Sequence, residues 1–375
     1  MNARPSTRLK FVFSMVLAPA TALLFAACGV SPTAKPAVIA VEPIAQFAPE
    51  SECAPCHAGI AHSHAASHHA SSLRFIDAGT PSAQRPPSGP VGKTGYSVES
   101  KGGTLVFVNQ GSAEKRRNLD LAFGSGKSGI TYVALNSDNT LEEMRMSFVP
   151  KQNRWYITPG QEDLTDANLG HVHQSGGARA CLGCHTSTLP ATTLRPEPQF
   201  MGIGCQACHG PAAAHVAAAK SGNLQDLKIE RASQWPSAKV NEVCGKCHRS
   251  AANVGSTGNE ITMTQRFQAY GLEQSPCFQG SDGKLSCITC HNAHTDVETN
   301  PKRYEVVCLQ CHGGGHSAEK PATAVQNKVC PVNPQGKCIG CHMPSRQVFP
   351  RSGIEVKMAD HLIWAHRDTS PSGKP

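Results

Sequence analysis

From Tyr96 onward the chain alternates apolar and polar positions with a period of two. The runs are YSVES, a Gly-Gly break, TLVFV, NLDLAF, GITYVAL, a turn over 136–139, TLEEMRMSF and NRWYIT. Strand side chains point to opposite faces in turn, so this pattern with its Gly and Asn/Asp punctuation predicts an antiparallel β module over roughly residues 94–160. One stretch inside it, Gly124-Ser125-Gly126-Lys127-Ser128-Gly129, matches GxGxxG. A phosphate loop needs glycine where Leu121 stands and a helix afterwards; a strand follows, so the stretch reads as a turn. Glu142 and Glu143 are adjacent, and on a strand they face opposite ways, a poor arrangement for acid/base work.

Before the module, Arg4, Arg8 and Lys10 precede an apolar run, 11–27, that stops at Cys28. Length and flanks predict a signal peptide over 1–28 rather than a spanning anchor of the mature chain. The ending Leu24-Phe25-Ala26-Ala27-Cys28 resembles a lipoprotein cleavage box, which makes Cys28 the lipidation candidate and, with Gly29, points to the outer membrane. Residues 29–48 are Pro/Ala-rich and read as a linker. Residues 79–91 read as a proline-rich loop.

Composition changes the picture. Apolar residues are 39% and aromatic residues 5% of 375, with 34 glycines and 27 prolines, thin material for a conventional core. Against this stand 17 cysteines and 18 histidines. Fourteen of the cysteines fall in seven CxxCH strings: Cys53/Cys56, Cys181/Cys184, Cys205/Cys208, Cys244/Cys247, Cys287/Cys290, Cys308/Cys311 and Cys338/Cys341. Chance would supply on the order of 0.04 such strings in a chain of this composition. Zinc sites have no reason to follow every cysteine pair with histidine. Covalent attachment of c-type haem does: two thioethers form, and the adjacent histidine reaches the iron. The sequence therefore predicts seven haem c groups, with His57, His185, His209, His248, His291, His312 and His342 as proximal ligands.

The first motif stands 128 residues before the second; the later gaps are 24, 39, 43, 21 and 30. Gaps that short hold a helix or two and a loop. The predicted organisation is a first haem site at 49–78, a β module at 79–165 and a six-haem unit at 166–375. The fold class expected is a multihaem cytochrome c: short helices and loops packed around haems, which supply the apolar mass, with an inserted antiparallel β module.

Eleven histidines remain for the distal positions. His215, His294 and His316 follow their own proximal histidines by six, three and four residues, too close to bend round to the far face of the same porphyrin. Each can reach a neighbouring haem. From the cluster His62, His64, His68 and His69 one axial ligand is expected, His69 being favoured. His171 and His173 alternate before Cys181, so one of them is expected to face a haem. His361, in an apolar segment after the last motif, is a further candidate, with Asp360 available to orient its ring and His366 as runner-up. With histidine in surplus, Met201, Met343 and Met358 read as packing. Cys277 and Cys330 are left over, and in an oxidising compartment an even remainder predicts a disulfide.

The formal charge of +8 falls to +5 without residues 1–27. Seven haems would add about fourteen propionates and ferric irons return about seven charges, leaving the holoprotein near neutral. A nucleic-acid partner has no support.

The segments CAPCHAGIAHSHAASHHASSL, FGSG with ITYV, WYITPG, CLGCH, GIGCQACHGPAAAH, EVCGKCH, SPCFQGSDGKLSCITCHNAH, CLQCH, and CIGCHMPSR with MADHLI carry a resemblance. Together they resemble the bacterial multihaem cytochromes related to the tetrahaem acceptor of hydroxylamine oxidoreductase. The resemblance implies axial roles for His69, His215, His294 and His361, and bis-histidine electron-transfer haems. The expected function is electron transfer between a redox donor and acceptor, in the periplasm or at the outer membrane. The alternative is a multihaem oxidoreductase with one open haem acting on nitrite, hydroxylamine or a similar small nitrogen or sulfur compound. Enzymes of that kind sometimes mark the open iron with lysine in place of the CxxCH histidine; all seven motifs here end in histidine, and the surplus can saturate every iron, which favours the carrier.

Overall fold

The computed structural model describes residues 43–77, 80, 85–111, 115–254, 265–312, 330–333 and 336–365. The signal peptide, Cys28, most of the linker, His316 and His366 lie outside the described residues.

Twelve strands are described. β1 (Leu73–Phe75), β6 (Leu121–Phe123), β7 (Ile130–Leu135), β8 (Leu141–Val149) and β10 (Gly170–His173) form an antiparallel sheet in the order β1-β6-β7-β8-β10, and β9 (Arg154–Ile157) pairs with the far half of β8. A second sheet runs β2-β3-β4-β5, from β2 (Gly89–Pro90), β3 (Tyr96–Lys101), β4 (Thr104–Asn109) and β5 (Lys115–Asn118). β3 and β4 are joined by Gly102 and Gly103 at φ +57° and +84°, the left-handed pair that a two-residue hairpin matching strand twist requires. The run NLDLAF, read as one strand, is two. The chain leaves the second sheet at Asn118 and enters the first at Leu121, and Leu119 and Asp120 make the crossing.

The period of two is realised as two buried faces. Ala122, Ile130, Tyr132, Met144, Met146 and Phe148 of the first sheet pack against Tyr96, Val98, Leu105 and Phe107 of the second, with Trp155 alongside. On the opposite face Leu73, Leu121, Val133 and Leu141 pack against Ala178 and Leu182 of helix α2 (Ser175–Gly183). That helix carries the second CxxCH motif. The β module therefore reaches from Leu73 to His173, past both ends of the sequence estimate, and is joined through α2 to the motif that follows it. Glu142 and Glu143 do diverge: Glu142 pairs with Arg117 at 2.7 Å, Glu143 with His173 at 3.2 Å.

The other helices are short: α1 (Ala58–Ala65), α3 (Cys205–His209), α4 (Ala213–Lys220), α5 (Ser237–His248), α6 (Ala251–Val254), α7 (Gln268–Glu273), α8 (Pro276–Gln279), α9 (Cys287–Cys290), α10 (Pro301–His312) and α11 (Cys338–His342). After α11 comes a hairpin that the sequence reading did not anticipate, β11 (Ser345–Phe349) with β12 (Ile354–Ala359). It packs Val348, Ile354 and Val356 against Val149 and Tyr156 of the first sheet. Arg351 adds an ion pair to Asp163 at 2.6 Å. The three apolar clusters draw no described residue from 202–347.

The end of the expected linker is docked. The Ala48 N–H donates to Gln206 Oε1 at 2.9 Å and its carbonyl accepts from Gln206 Nε2 at 2.7 Å. The His69 carbonyl accepts from the Ile203 N–H at 3.0 Å, and the His68 N–H donates to Asp296 at 2.7 Å. The first motif, distant in sequence, thus lies against the third and against the loop after the fifth. No helix among the described residues is long and apolar enough to cross a membrane.

Candidate functional site

Each CxxCH motif occupies a helix or a helix end. The first precedes α1, with His57 at its N-cap; the second, fourth and sixth end α2, α5 and α10; the third, fifth and seventh make up α3, α9 and α11. A turn of helix brings the two cysteines and the histidine of one motif to one side, as a three-point attachment needs. None of the fourteen attachment cysteines is buried, although cysteine is among the residue types most often buried.

The two cysteines of a motif differ in cover. Cys53, Cys205, Cys244, Cys287, Cys308 and Cys338, each first in its motif, are half-buried, whereas the second cysteines Cys56, Cys208, Cys247, Cys290, Cys311 and Cys341 are exposed; in the second motif Cys181 and Cys184 are both half-buried. Cys56 and Cys341, assigned to haem attachment on the motif alone, are among these six exposed second cysteines. The cause is local. Cys56 lies on the turn that leads into α1 and Cys341 lies in α11, and neither helix buries a residue; the same holds of α9 and α10, which carry Cys290 and Cys311.

Four proximal histidines stand opposite a second imidazole. Ring centres are 6.3 Å apart for His57 and His215, 6.2 Å for His69 and His248, 6.2 Å for His209 and His294, and 6.2 Å for His291 and His361. Two metal–nitrogen bonds of about 2 Å plus two imidazole half-widths of about 1.1 Å place coaxial ring centres about 6.2 Å apart. Interplanar angles of 30°, 63°, 4° and 34° are all compatible, since rotation about the common axis leaves both nitrogens on it. The spacing is that of two axial ligands with one iron between them, and the residues present fit haem c.

Hydrogen bonds select the ligating nitrogen. Nδ1 donates to the Leu227 carbonyl in His215 (2.9 Å), to Gln268 Oε1 in His248 (3.2 Å), to the Ala359 carbonyl in His361 (3.0 Å) and to the Ser72 carbonyl in His185 (3.1 Å). A ring anchored this way presents Nε2 to a metal. Burial lowers the pKa of His69, His185, His209 and His291, and takes His361 down to about 4. These rings are held neutral, the form that binds metal.

All four pairs join different motifs: His215 follows the third and faces the first, His294 follows the fifth and faces the third, His69 follows the first and faces the fourth, His361 follows the seventh and faces the fifth. His361 is not on a surface helix. It lies across α7, where its carbonyl accepts from the Ser275 hydroxyl at 2.8 Å and the Ser275 oxygen accepts from the Ile363 N–H at 2.7 Å. Its ring is anchored by Ala359 rather than by Asp360, whose carboxylate binds Arg346 at 2.9 Å.

The remaining candidates sit differently. His185 meets Phe123 edge-on at 4.9 Å. His171 and His173, two apart on β10, share a face and touch each other at 4.6 Å, while His173 pairs with Glu143; the alternation expected of them would need neighbouring positions. Of the N-terminal cluster, His68 pairs with Asp296 at 3.4 Å, and burial lowers the pKa of His64. Met201 and Met358 pack in apolar clusters. Cys277 and Cys330 are separate thiols, so the expected bridge is not formed. Cys277 lies near Cys290, Cys308 and Cys311, while Cys330 lies near Cys338.

Sulfurs of different motifs meet in a definite order. Cys53 contacts Cys205, Cys208 lies near Cys244, Cys184 contacts Cys247, Cys244 contacts Cys287, Cys290 lies near Cys308, and Cys308 contacts Cys338. In space the motifs run first, third, fourth, fifth, sixth, seventh, with the second beside the fourth. At the two ends of this order the contact is made by the first cysteine of the motif, Cys53 or Cys338, while Cys56 and Cys341 face outward. Sequence reasoning missed the residues that hold this together, among them Glu50, Gln206, Asp296 and Phe123; no local motif marks them.

The profile of the family described as Cytochrome c554 and c-prime matches residues 153–210, which span β9, α2 and the second and third motifs. The chain is 25% identical over 202 residues to the multiheme cytochrome MtrA of Shewanella baltica, covering 50% of this chain and 53% of that one. It thus spans about half the length of the curated relative it matches. It is also similar to the crystal structure of the outer cell wall cytochrome OcwA, at 15% identity and TM-score 0.48, over 85% of this chain and 79% of that one. Repeated CxxCH motifs, with a family profile lying on two of them and a multihaem relative aligned over half the chain, make this protein a multihaem c-type cytochrome.

Proposed function

We propose that the protein is an exported electron carrier with seven covalently attached haems, mostly or all held by bis-histidine ligation, that passes electrons between a redox donor and acceptor. The observation that carries this is the set of four imidazole pairs at 6.2–6.3 Å. Haem c supplies, when bound, a one-electron ferric/ferrous couple. The paired histidines would hold an iron in both oxidation states, which would leave no position there for a small substrate. Contact between motifs in the order given above provides a continuous path, with His312 and His342 as proximal ligands at its far end.

Anchoring through Cys28 at the outer membrane belongs to the same proposal and rests on the leader pattern alone. A second reading attaches to the second motif. His185 is fixed by Ser72, with Phe123 and the α2 cluster beside it, and an open iron there would suit an oxidoreductase. Denaturing mass spectrometry for seven haem additions, with carbon monoxide challenge of the reduced holoprotein, tests the proposal. Seven additions and no carbonyl spectrum support the carrier; a single carbonyl-binding haem lost in Phe123→His supports the second reading.

A further inference from the structure

Glu50 lies in a 3-10 turn immediately before Cys53. Its carboxylate accepts from the Cys205 N–H at 3.0 Å, the Gln206 N–H at 3.5 Å and the Ser187 hydroxyl at 2.8 Å. Ser187 Oγ in turn accepts from the Gly204 N–H at 3.0 Å. A β-carbon at position 204 would fall 2.3 Å from Glu50 Oε1 and 2.5 Å from Ser187 Oγ, so the glycine makes room for the carboxylate. A carboxylate oxygen and the sulfurs of Cys53 and Cys205 all lie within 4.8 Å of one another. Those sulfurs belong to two different CxxCH motifs. As thioethers they would be neutral, which would leave a carboxylate beside two haem attachment points rather than a thiolate metal site. Glu52, on the same turn, is paired with Lys220 at 2.5 Å, whereas the donors to Glu50 are neutral and orient its charge without cancelling it.

We propose that Glu50 sets the potentials of the haems at Cys53/Cys56 and Cys205/Cys208 together, as a fixed negative charge at their shared edge. A negative charge nearby stabilises ferric over ferrous iron and lowers the potential. One carboxylate beside both attachment points lowers both potentials together. Glu50 is a positioning and tuning residue; it touches no iron.

The inference rests on both motifs carrying haem, and the test separates the two. Glu50→Gln keeps an oxygen for the Cys205 N–H, turns its amide N–H towards Ser187 Oγ, which can accept instead of donate, and removes the charge. Haem content by mass spectrometry reports attachment; an NMR-monitored redox titration of the holoprotein follows haem methyl signals one haem at a time. The expected result is full haem content with two haems shifted to higher potential and the others unmoved. Ser187→Ala, which strips a hydrogen-bond donor from the carboxylate and sharpens its field, is expected to move the same two haems the opposite way. It also serves as the test if Glu50→Gln loads its haems incompletely. Unchanged potentials, a shift spread evenly over all haems, or shifts of the same sign in both variants would overturn the proposal.

Discussion

Gly271 shows how one atom governs a ligand. A β-carbon there would lie 3.0 Å from the His361 carbonyl carbon and the Leu362 nitrogen and 3.3 Å from His361 Cβ, because the His361 segment crosses α7 at its barest point. Gly271→Ala is expected to push that segment away, costing about 1–3 kcal/mol of stability and altering one low-spin haem signal. His361→Ala should convert the same haem to high spin or force a substitute ligand. An unchanged EPR spectrum in either variant would count against His361 as an axial ligand. The pairing across motifs makes a sharper statement about His215. His215→Ala is expected to disturb the haem at Cys53/Cys56 and spare the one at Cys205/Cys208, although the latter is the nearer in sequence. Resonance Raman of the variant, with haem peptides assigned after proteolysis, distinguishes the two. The motif itself names the proximal candidates, because it carries both attachment and ligand. Distal candidates were readable from spacing, but their partners were not. The pairs span 70 to 179 residues, and nothing local encodes a contact made through folding. The same limit holds for the cysteines: the motif names Cys56 and Cys341 as attachment points, but whether the chain encloses a sulfur is decided by neighbours that the motif does not contain.

At the scale of elements, the strands β3, β4, β7, β8 and β9 were legible because each carries apolar, β-branched or aromatic residues between Gly and Asn/Asp turns, although their burial does not alternate: β8 buries both faces. β1, with three residues, and β10, whose GHVH carries the two histidines, are too short for a period to show. β11 and β12 lie beyond the last motif, where the chain was read as haem-binding helix and loop. The break between β5 and β6 escaped notice because changing sheets does not interrupt the polarity pattern. The β module has its own core, and Phe107 is fully buried within it, stacked on Tyr96 at 5.3 Å. Phe107→Ala should cost about 3–5 kcal/mol in thermal unfolding while leaving haem spectra in place. The helical region is different in kind. Its described residues from 202 to 347 contribute to none of the apolar clusters, and α10 and α11 bury no residue. Expression without haem attachment should therefore leave a cooperative β module and a helical region that exchanges amide hydrogens freely. Protection in α5 and α10 of such a sample would show that the helices pack without the cofactor.

For the whole molecule, the proposed function ties the thin apolar composition to the wealth of cysteine and histidine: the cofactors would be the core of the helical part. In that proposal cross-ligation would fasten motif to motif, since each of the four paired histidines lies opposite the proximal histidine of another motif. The most direct test is low-temperature EPR of the oxidised holoprotein, repeated on the reduced protein under carbon monoxide and on the oxidised protein with nitrite. If every iron is held between two histidines, all signals are low-spin ferric and neither ligand changes them. A high-spin signal that carbon monoxide or nitrite removes would contradict the carrier and place a reactive iron in the molecule.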